Sequence, residues 1–159
     1  MADRVYIETT VVSYLTARAS RDVIIAGHQQ VTHEWWDTRR SDYELCVSQL
    51  VLDEAGAGDL QAAQERLALL HPMLVLETTE AALDIAKGLI HAGALPTKAA
   101  DDALHIAIAA SKAIPFLLTW NCRHLANAAM RPVIEEVCST SGFRAPIICT
   151  PEELLGAKP

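Results

Sequence analysis

The sequence lacks the features that mark several common protein classes. Aromatic residues make up only 5% of the chain, and its four cysteines (Cys46, Cys122, Cys138 and Cys149) show no C-x-x-C spacing. Neither a zinc site nor a disulfide framework is therefore predicted. No apolar run approaches the ~20 residues that span a bilayer, and no leader segment is recognised at the N-terminus. We expect free thiols and a cytoplasmic location.

Motifs of several large enzyme classes are also missing. The chain has no G-x-G-x-x-G, no P-loop and no G-x-S-x-G. A net charge of −7 argues against a broadly basic surface for nucleic acid, although a basic rim beside an acidic cleft remains compatible with it. What is present is a chain of 159 residues, 51% of them hydrophobic, which suits one domain over residues 1–159.

Short apolar runs alternate with helical patterns along the chain. Strands are predicted at 4–7, 43–47, 72–76, 116–119 and 147–149. Helices are predicted at 11–16, 20–40, 59–70, 98–110, 124–130 and 132–140, with a terminal turn at 151–155. Ser20 is the predicted cap of the second of these helices. Two further helices are predicted, one that begins with Ser48 as its cap and one that runs from Thr78 or Thr79 to about Gly93. The pattern predicts an α/β fold of three layers, with a central parallel sheet of about five short strands.

The helix over 98–110 carries two adjacent carboxylates, Asp101 and Asp102, at its start. Beyond the first turn it is apolar almost all round, so it is expected to be buried on most sides. Asp102 shares a face with His105 and Ile106, and a carboxylate there needs a partner. The alternative interpretation is that either Asp simply caps the helix.

Four polar residues are predicted to meet at the carboxyl edge of the sheet. Glu8 and Asn121 follow strands, whereas Glu54 and Asp102 lie near helix starts, which reach the same edge. Crowded carboxylates raise one another's pKa, and a hard cation removes that conflict. Oxygen ligands favour Mg²⁺ or Mn²⁺, and such a metal suits phosphodiester hydrolysis.

The sequence resembles the PIN-domain ribonuclease family, which includes the VapC toxins of toxin–antitoxin systems. The run 5–12 (VYIETTVV) resembles the family's opening strand with its acidic motif, and 48–54 resembles the second acidic motif. The run 102–107 (DALHIA) is similar to the D-A-x-H-x-A helix, and 119–121 (TWN) to the T-x-D strand end. Four motifs in matching order over nearly the whole chain make the resemblance fairly specific.

The resemblance implies a metal-dependent endoribonuclease, with Glu8, Glu54 and Asp102 as metal ligands and Asn121 at the fourth catalytic position. Residues implied to support the carboxylates or to contact substrate are Thr10, Thr119, His124 and Arg123, with Lys98 as a further backbone clamp. Asp53 could take the place of Glu54 as a metal ligand, or Asp101 that of Asp102.

Two positions depart from the family pattern, since Glu8 replaces an aspartate and Asn121 replaces a carboxylate. They leave open an alternative function, a catalytically impaired PIN domain that binds RNA or another protein.

The expected partners are RNA, a small antitoxin protein and a second copy of the chain. The Trp35–Trp36 pair on the predicted long helix is interpreted as core or dimer surface, and less readily as a base-stacking platform.

Overall fold

A computed structural model of the chain describes residues 2–156. Five strands pair in parallel throughout. They are β1 (Asp3–Ile7), β2 (Tyr43–Ser48), β3 (Leu74–Leu76), β4 (Phe116–Leu118) and β5 (Ile147–Cys149). Their order in the sheet is β3-β2-β1-β4-β5, so the chain starts at the centre and builds outwards in both directions. The predicted parallel sheet of five short strands is confirmed.

Eight helices occupy the described part of the chain. They are α1 (Thr9–Thr16), α2 (Val23–Thr38), α3 (Gln49–Ala55), α4 (Leu60–Leu70), α5 (Glu80–His91), α6 (Ala100–Ser111), α7 (Arg131–Thr140) and α8 (Pro151–Leu155). Helices α1, α2, α3, α4 and α8 pack among themselves, and α5 packs on both α6 and α7. These two groups form the outer layers of a three-layer α/β fold.

The central strands are buried on both faces. Three consecutive residues of β1, Val5, Tyr6 and Ile7, have no exposed surface, although successive side chains of a strand point to opposite sides. Two helical layers must therefore cover the sheet, as continuous apolar strands require.

Several element ends differ from the sequence-based predictions. Helix α2 is capped by Asp22, whose Oδ1 accepts hydrogen bonds from the amides of Ile24 and Ile25, so the prediction of Ser20 as cap was wrong. Ser20 Oγ instead accepts from the Asp22 amide. Neither Asp101 nor Asp102 caps α6, which begins after Ala99 with no side-chain cap. The capping interpretation of the two aspartates was therefore wrong.

The segment 124–130 forms turns instead of the predicted helix. The Asn121 carbonyl accepts hydrogen bonds from the amides of both Leu125 and Ala126, and the Asn127 side chain accepts from the Ala129 amide. These bonds satisfy backbone groups locally and replace the helical pattern. The predicted terminal turn is the short helix α8, whose capping box joins Thr150 and Glu153.

The two tryptophans of α2 have different environments. Trp35 is fully buried and stacks on Tyr43, with ring centroids 6.1 Å apart. Trp36 is half-buried and lies under the Arg40 guanidinium. Trp35 is therefore core, and a base-stacking role for it is excluded. All four cysteines are free, as predicted. None of the helices in residues 2–156 is long and apolar enough to cross a membrane.

Candidate metal centre

Two backbone hydrogen bonds extend the sheet just past the ends of β1 and β4. The Glu8 amide donates to the Leu118 carbonyl at 3.0 Å, and the Thr119 amide donates to the Cys149 carbonyl at 3.0 Å. Glu8 and Thr119 are therefore neighbours at the carboxyl edge. Their relative position follows from the backbone pairing of the sheet.

The carboxylate of Glu8 is buried, with only 4% of the residue exposed. Its Oε1 accepts hydrogen bonds from Thr10 Oγ1 at 2.5 Å and from Thr119 Oγ1 at 2.6 Å. Burial raises the pKa of Glu8, while the attraction of His105 and these hydroxyls lowers it without cancelling the effect. Both threonines therefore donate to the Glu8 carboxylate, and such hydrogen bonds orient it.

The carboxylate of Glu54 projects from α3 toward Glu8 and is held in a similar way. Its Oε1 accepts from Thr9 Oγ1 at 2.7 Å and lies 2.7 Å from His105 Nε2. Burial acts to raise the pKa of Glu54, but the hydrogen bond and attraction of His105, with the Thr9 hydrogen bond, outweigh it and lower the pKa. Glu54 is therefore readily ionised.

Glu8, Glu54 and His105 form a compact group. One potential ligand atom from each lies within 4.8 Å of the other two. Within the described residues, the side-chain hydrogen bonds to both carboxylates converge on Oε1 and leave Oε2 of each without a side-chain donor. Two neighbouring carboxylates, each with an oxygen that no side chain engages, suit a divalent cation, which would also relieve the cost of ionising buried Glu8.

A buried chain of hydrogen bonds lies behind Glu54. His105 Nδ1 lies 2.7 Å from the Tyr6 hydroxyl, which lies 2.7 Å from Ser48 Oγ. Tyr6, Ser48 and His105 have no exposed surface. Burial is the main cause that raises the pKa of Tyr6, so its phenol stays protonated and able to donate. This row of hydrogen bonds connects β1, the end of β2, α6 and α3.

Asp102 lies beside this group but pairs with another residue. Its Oδ2 is 3.2 Å from His124 Nδ1, and both side chains are about one-fifth exposed. Asp102 stands three residues before His105 on α6, so the two share a helix face. Among the described residues it is not part of the compact group.

Asn121 and His124 shape the loop after β4. Asn121 Oδ1 accepts from the His124 amide at 3.0 Å, so its carbonyl closes a turn. Lys98, Arg123 and His124, here called the basic rim, line one surface cavity beside this loop. Asp53 is exposed and bound to Gln49, and exposed Asp101 lines a separate groove between α5 and α6.

Trp120 anchors the same loop to α2. Its indole Nε1 donates to Thr32 Oγ1 at 2.6 Å, and its ring stacks on His28 at 4.0 Å. Its backbone amide donates to Thr10 Oγ1 at 2.9 Å, the same hydroxyl that donates to Glu8. The position of Trp120 therefore helps to set the geometry around Glu8.

Sequence reasoning assigned no role to Tyr6, Thr9 or His105. Ser48 was predicted only as the cap of α3, and the structure confirms that cap. His105 did carry a usable signal, because it is the single polar residue of α6 between its first turn and Ser111. Tyr6 carried a weaker one, as a hydroxyl within a buried strand. A buried polar group needs a partner, and here each group supplies one to the next.

Comparison with known proteins finds similarity in structure but not in sequence. No protein-family model and no curated protein matches the sequence. The chain is similar to a chain in the crystal structure of VapBC2 from Rickettsia felis bound to a DNA fragment from their promoter. The TM-score is 0.57 at 11% identity, over 92% of this chain and 98% of that one. Together with the five-stranded parallel sheet, this likeness shows that the chain has a PIN-like three-layer α/β fold.

Proposed function

We propose that this protein is a metal-dependent endoribonuclease that hydrolyses RNA phosphodiester bonds, and that it is the toxin of a type II toxin–antitoxin pair. The observation that carries the proposal is the convergence of Glu8, Glu54 and His105 within 4.8 Å at the carboxyl edge of the sheet. Ligands of such folds bind at that edge. The likeness in fold to a chain of a VapBC2 structure supports the toxin assignment.

Glu8 and Glu54 are the proposed ligands of Mg²⁺ or Mn²⁺, with Asp102 as the third carboxylate. The hydrogen bond to His124 engages only Oδ2 of Asp102, so its other oxygen is available. When bound, the metal supplies an activated water and offsets charge that develops on the scissile phosphate. Thr10 and Thr119 keep Glu8 oriented, and the surrounding core limits water around it.

The basic rim is the proposed substrate-binding region. Lys98, Arg123 and His124 share a cavity next to Asp102, and phosphate oxygens accept hydrogen bonds from such groups. Asn121, at the fourth catalytic position, holds His124 through the turn and adds no charge. A rim of this kind attracts RNA locally despite the net charge of −7.

Cleavage of RNA in the presence of metal tests this proposal. Purified protein should cleave single-stranded RNA with Mn²⁺ or Mg²⁺ and should lose that activity in EDTA. Asp102→Asn should abolish cleavage while keeping the fold, because it removes the charge of the third proposed carboxylate ligand. Asp53→Asn, an exposed matched control, should keep the wild-type rate. If wild-type protein binds RNA without cleaving it in any divalent metal, the chain is a binding module instead.

An antitoxin and a second copy are the proposed protein partners. Exposed apolar side chains occur at the start of α2 (Val23, 85% exposed, and Ile24) and on α4 (Leu60 and Leu67). Both helices pack on α1. Sedimentation should show a dimer that Ile24→Asp weakens. A concentrated wild-type monomer that also binds no product of a neighbouring gene would contradict both assignments.

A further inference from the structure

The hydrogen-bond chain behind Glu54 has a definite direction. Ser48 Oγ accepts from the Val51 amide at 3.4 Å, as the cap of α3, so its own proton is available to Tyr6. Tyr6 can then donate to His105 Nδ1, and His105 Nε2–H can donate to Glu54 Oε1. In this direction every donor has one acceptor, and every acceptor in the chain is satisfied.

The opposite direction satisfies fewer groups. A neutral His105 with its proton on Nδ1 would direct an Nε2 lone pair at the Glu54 carboxylate across 2.7 Å. Any His105 with a proton on Nδ1, the doubly protonated imidazolium included, would also leave the Ser48 hydroxyl without an acceptor among the described residues. Because Tyr6, Ser48 and His105 have no exposed surface, water does not compensate for such a mismatch among them.

We propose that Tyr6 and Ser48 are positioning residues that hold His105 as the Nε2–H tautomer, and that His105 orients Glu54 for metal binding without being a ligand itself. The inference rests on the proposed metal site and names what prepares it. His105 and Thr9 together fix Glu54 Oε1, which leaves Oε2 as the oxygen offered to a cation. Metal-binding carboxylates are commonly held by such outer hydrogen bonds.

The tautomer can be measured directly in the metal-free protein. ¹⁵N NMR of the histidine side chains should show His105 protonated at Nε2 and unprotonated at Nδ1, with His105→Gln used to assign the signals. Diamagnetic Mg²⁺ should leave the Nε2 proton in place. A proton on Nδ1 in the metal-free protein, or loss of the Nε2 proton when Mg²⁺ binds, would overturn the proposal.

Removal of one hydroxyl tests the effect on the metal site. Tyr6→Phe keeps the ring in the core but removes the donor to Nδ1, and we expect its Mn²⁺ affinity to fall about tenfold, as for other outer-sphere groups. Tyr14→Phe is the matched control. Tyr14 stacks its ring on Trp120, and its hydroxyl takes no part in the hydrogen-bond chain behind Glu54. It should bind Mn²⁺ like wild type in calorimetric titration.

The outcomes separate this inference from the proposed function. If wild-type protein binds no Mn²⁺, the proposed metal-dependent function fails. The proposed role of the hydrogen-bond chain in metal binding then fails with it. If wild type and Tyr6→Phe bind Mn²⁺ equally, the nuclease proposal stands and the positioning role is refuted. Weaker binding by Tyr6→Phe together with a mixed His105 tautomer would support the inference, because a purely structural defect would not change the ring's protonation pattern.

Discussion

Glu8→Gln should reduce RNA cleavage by at least roughly 100-fold, equivalent to about 3 kcal/mol of lost transition-state stabilisation. The substitution removes one of the two carboxylates in the compact group but keeps an oxygen that Thr10 and Thr119 can still contact. The fold is therefore retained while the proposed site loses a charged ligand. Steady-state cleavage in Mn²⁺ measures the effect. Glu65→Gln, on the exposed face of α4, is the control and should cleave normally.

The same variant should be more stable than wild type without metal. Burial raises the pKa of Glu8, so the folded protein favours the protonated form. Protonated Glu8 then contributes to the free energy of unfolding of the wild type. This contribution is fully present below the unfolded-state pKa of Glu8 and is lost as the pH rises through its higher folded-state pKa. At neutral pH, we expect Glu8→Gln to gain on the order of 1 kcal/mol, or about 2–4 °C in melting temperature.

Glu54→Gln should have the opposite effect, because the pKa of Glu54 is lowered in the folded state by His105 and Thr9 despite burial. The stability that it provides is present above the unfolded-state pKa and is lost as the pH falls through the lower folded-state pKa. Glu54→Gln should therefore destabilise the metal-free protein at neutral pH. Thermal melts of both variants across pH would contradict this account if the two shifts had the same sign.

Excess Mn²⁺ should raise the melting temperature of the wild-type protein by several degrees. A ligand that binds only the native state at about 100 times its Kd adds about 2.7 kcal/mol, which corresponds to roughly 5–10 °C for a chain of this size. The physical reason is that the cation binds the closely spaced carboxylates of Glu8 and Glu54 and offsets the cost of ionising buried Glu8. Differential scanning calorimetry with EDTA reversal measures the shift.

The Mn²⁺ effect should also depend on pH in a specific direction. A cation requires the ionised form of Glu8, so binding releases a proton and strengthens as the pH rises through the raised pKa of Glu8. The shift should be larger at about pH 8 than at about pH 5. Glu8→Gln should largely lose the shift, whereas Glu65→Gln should keep it. A shift of equal size in Glu8→Gln would place the metal elsewhere.

Much of this fold follows from local sequence patterns. Strands with continuous apolar runs, such as 5–7 in β1, alternate with helical periodicities and predict a parallel sheet covered on both faces, and the structure has that sheet. Once the strands are parallel, residues that follow strands share an edge. That rule alone brings Glu8 to the same edge as Thr119. Glu54 reaches this edge because Ser48, at the end of β2, caps α3, the helix that carries Glu54.

The partners of each side chain could not be predicted in this way. Tyr6 and His105 are 99 residues apart in sequence, yet their hydrogen bond depends on how β1 and α6 pack to within a few tenths of an ångström. The same holds for Asp102, which pairs with His124 in a segment where a helix was predicted and turns occur. Periodicity determines which face a residue occupies, so the sequence located the carboxylates at one edge of the sheet. Only the packing of helices against that sheet decided that a buried histidine holds Glu54, because hydrogen bonds depend on distance and direction and not on face alone.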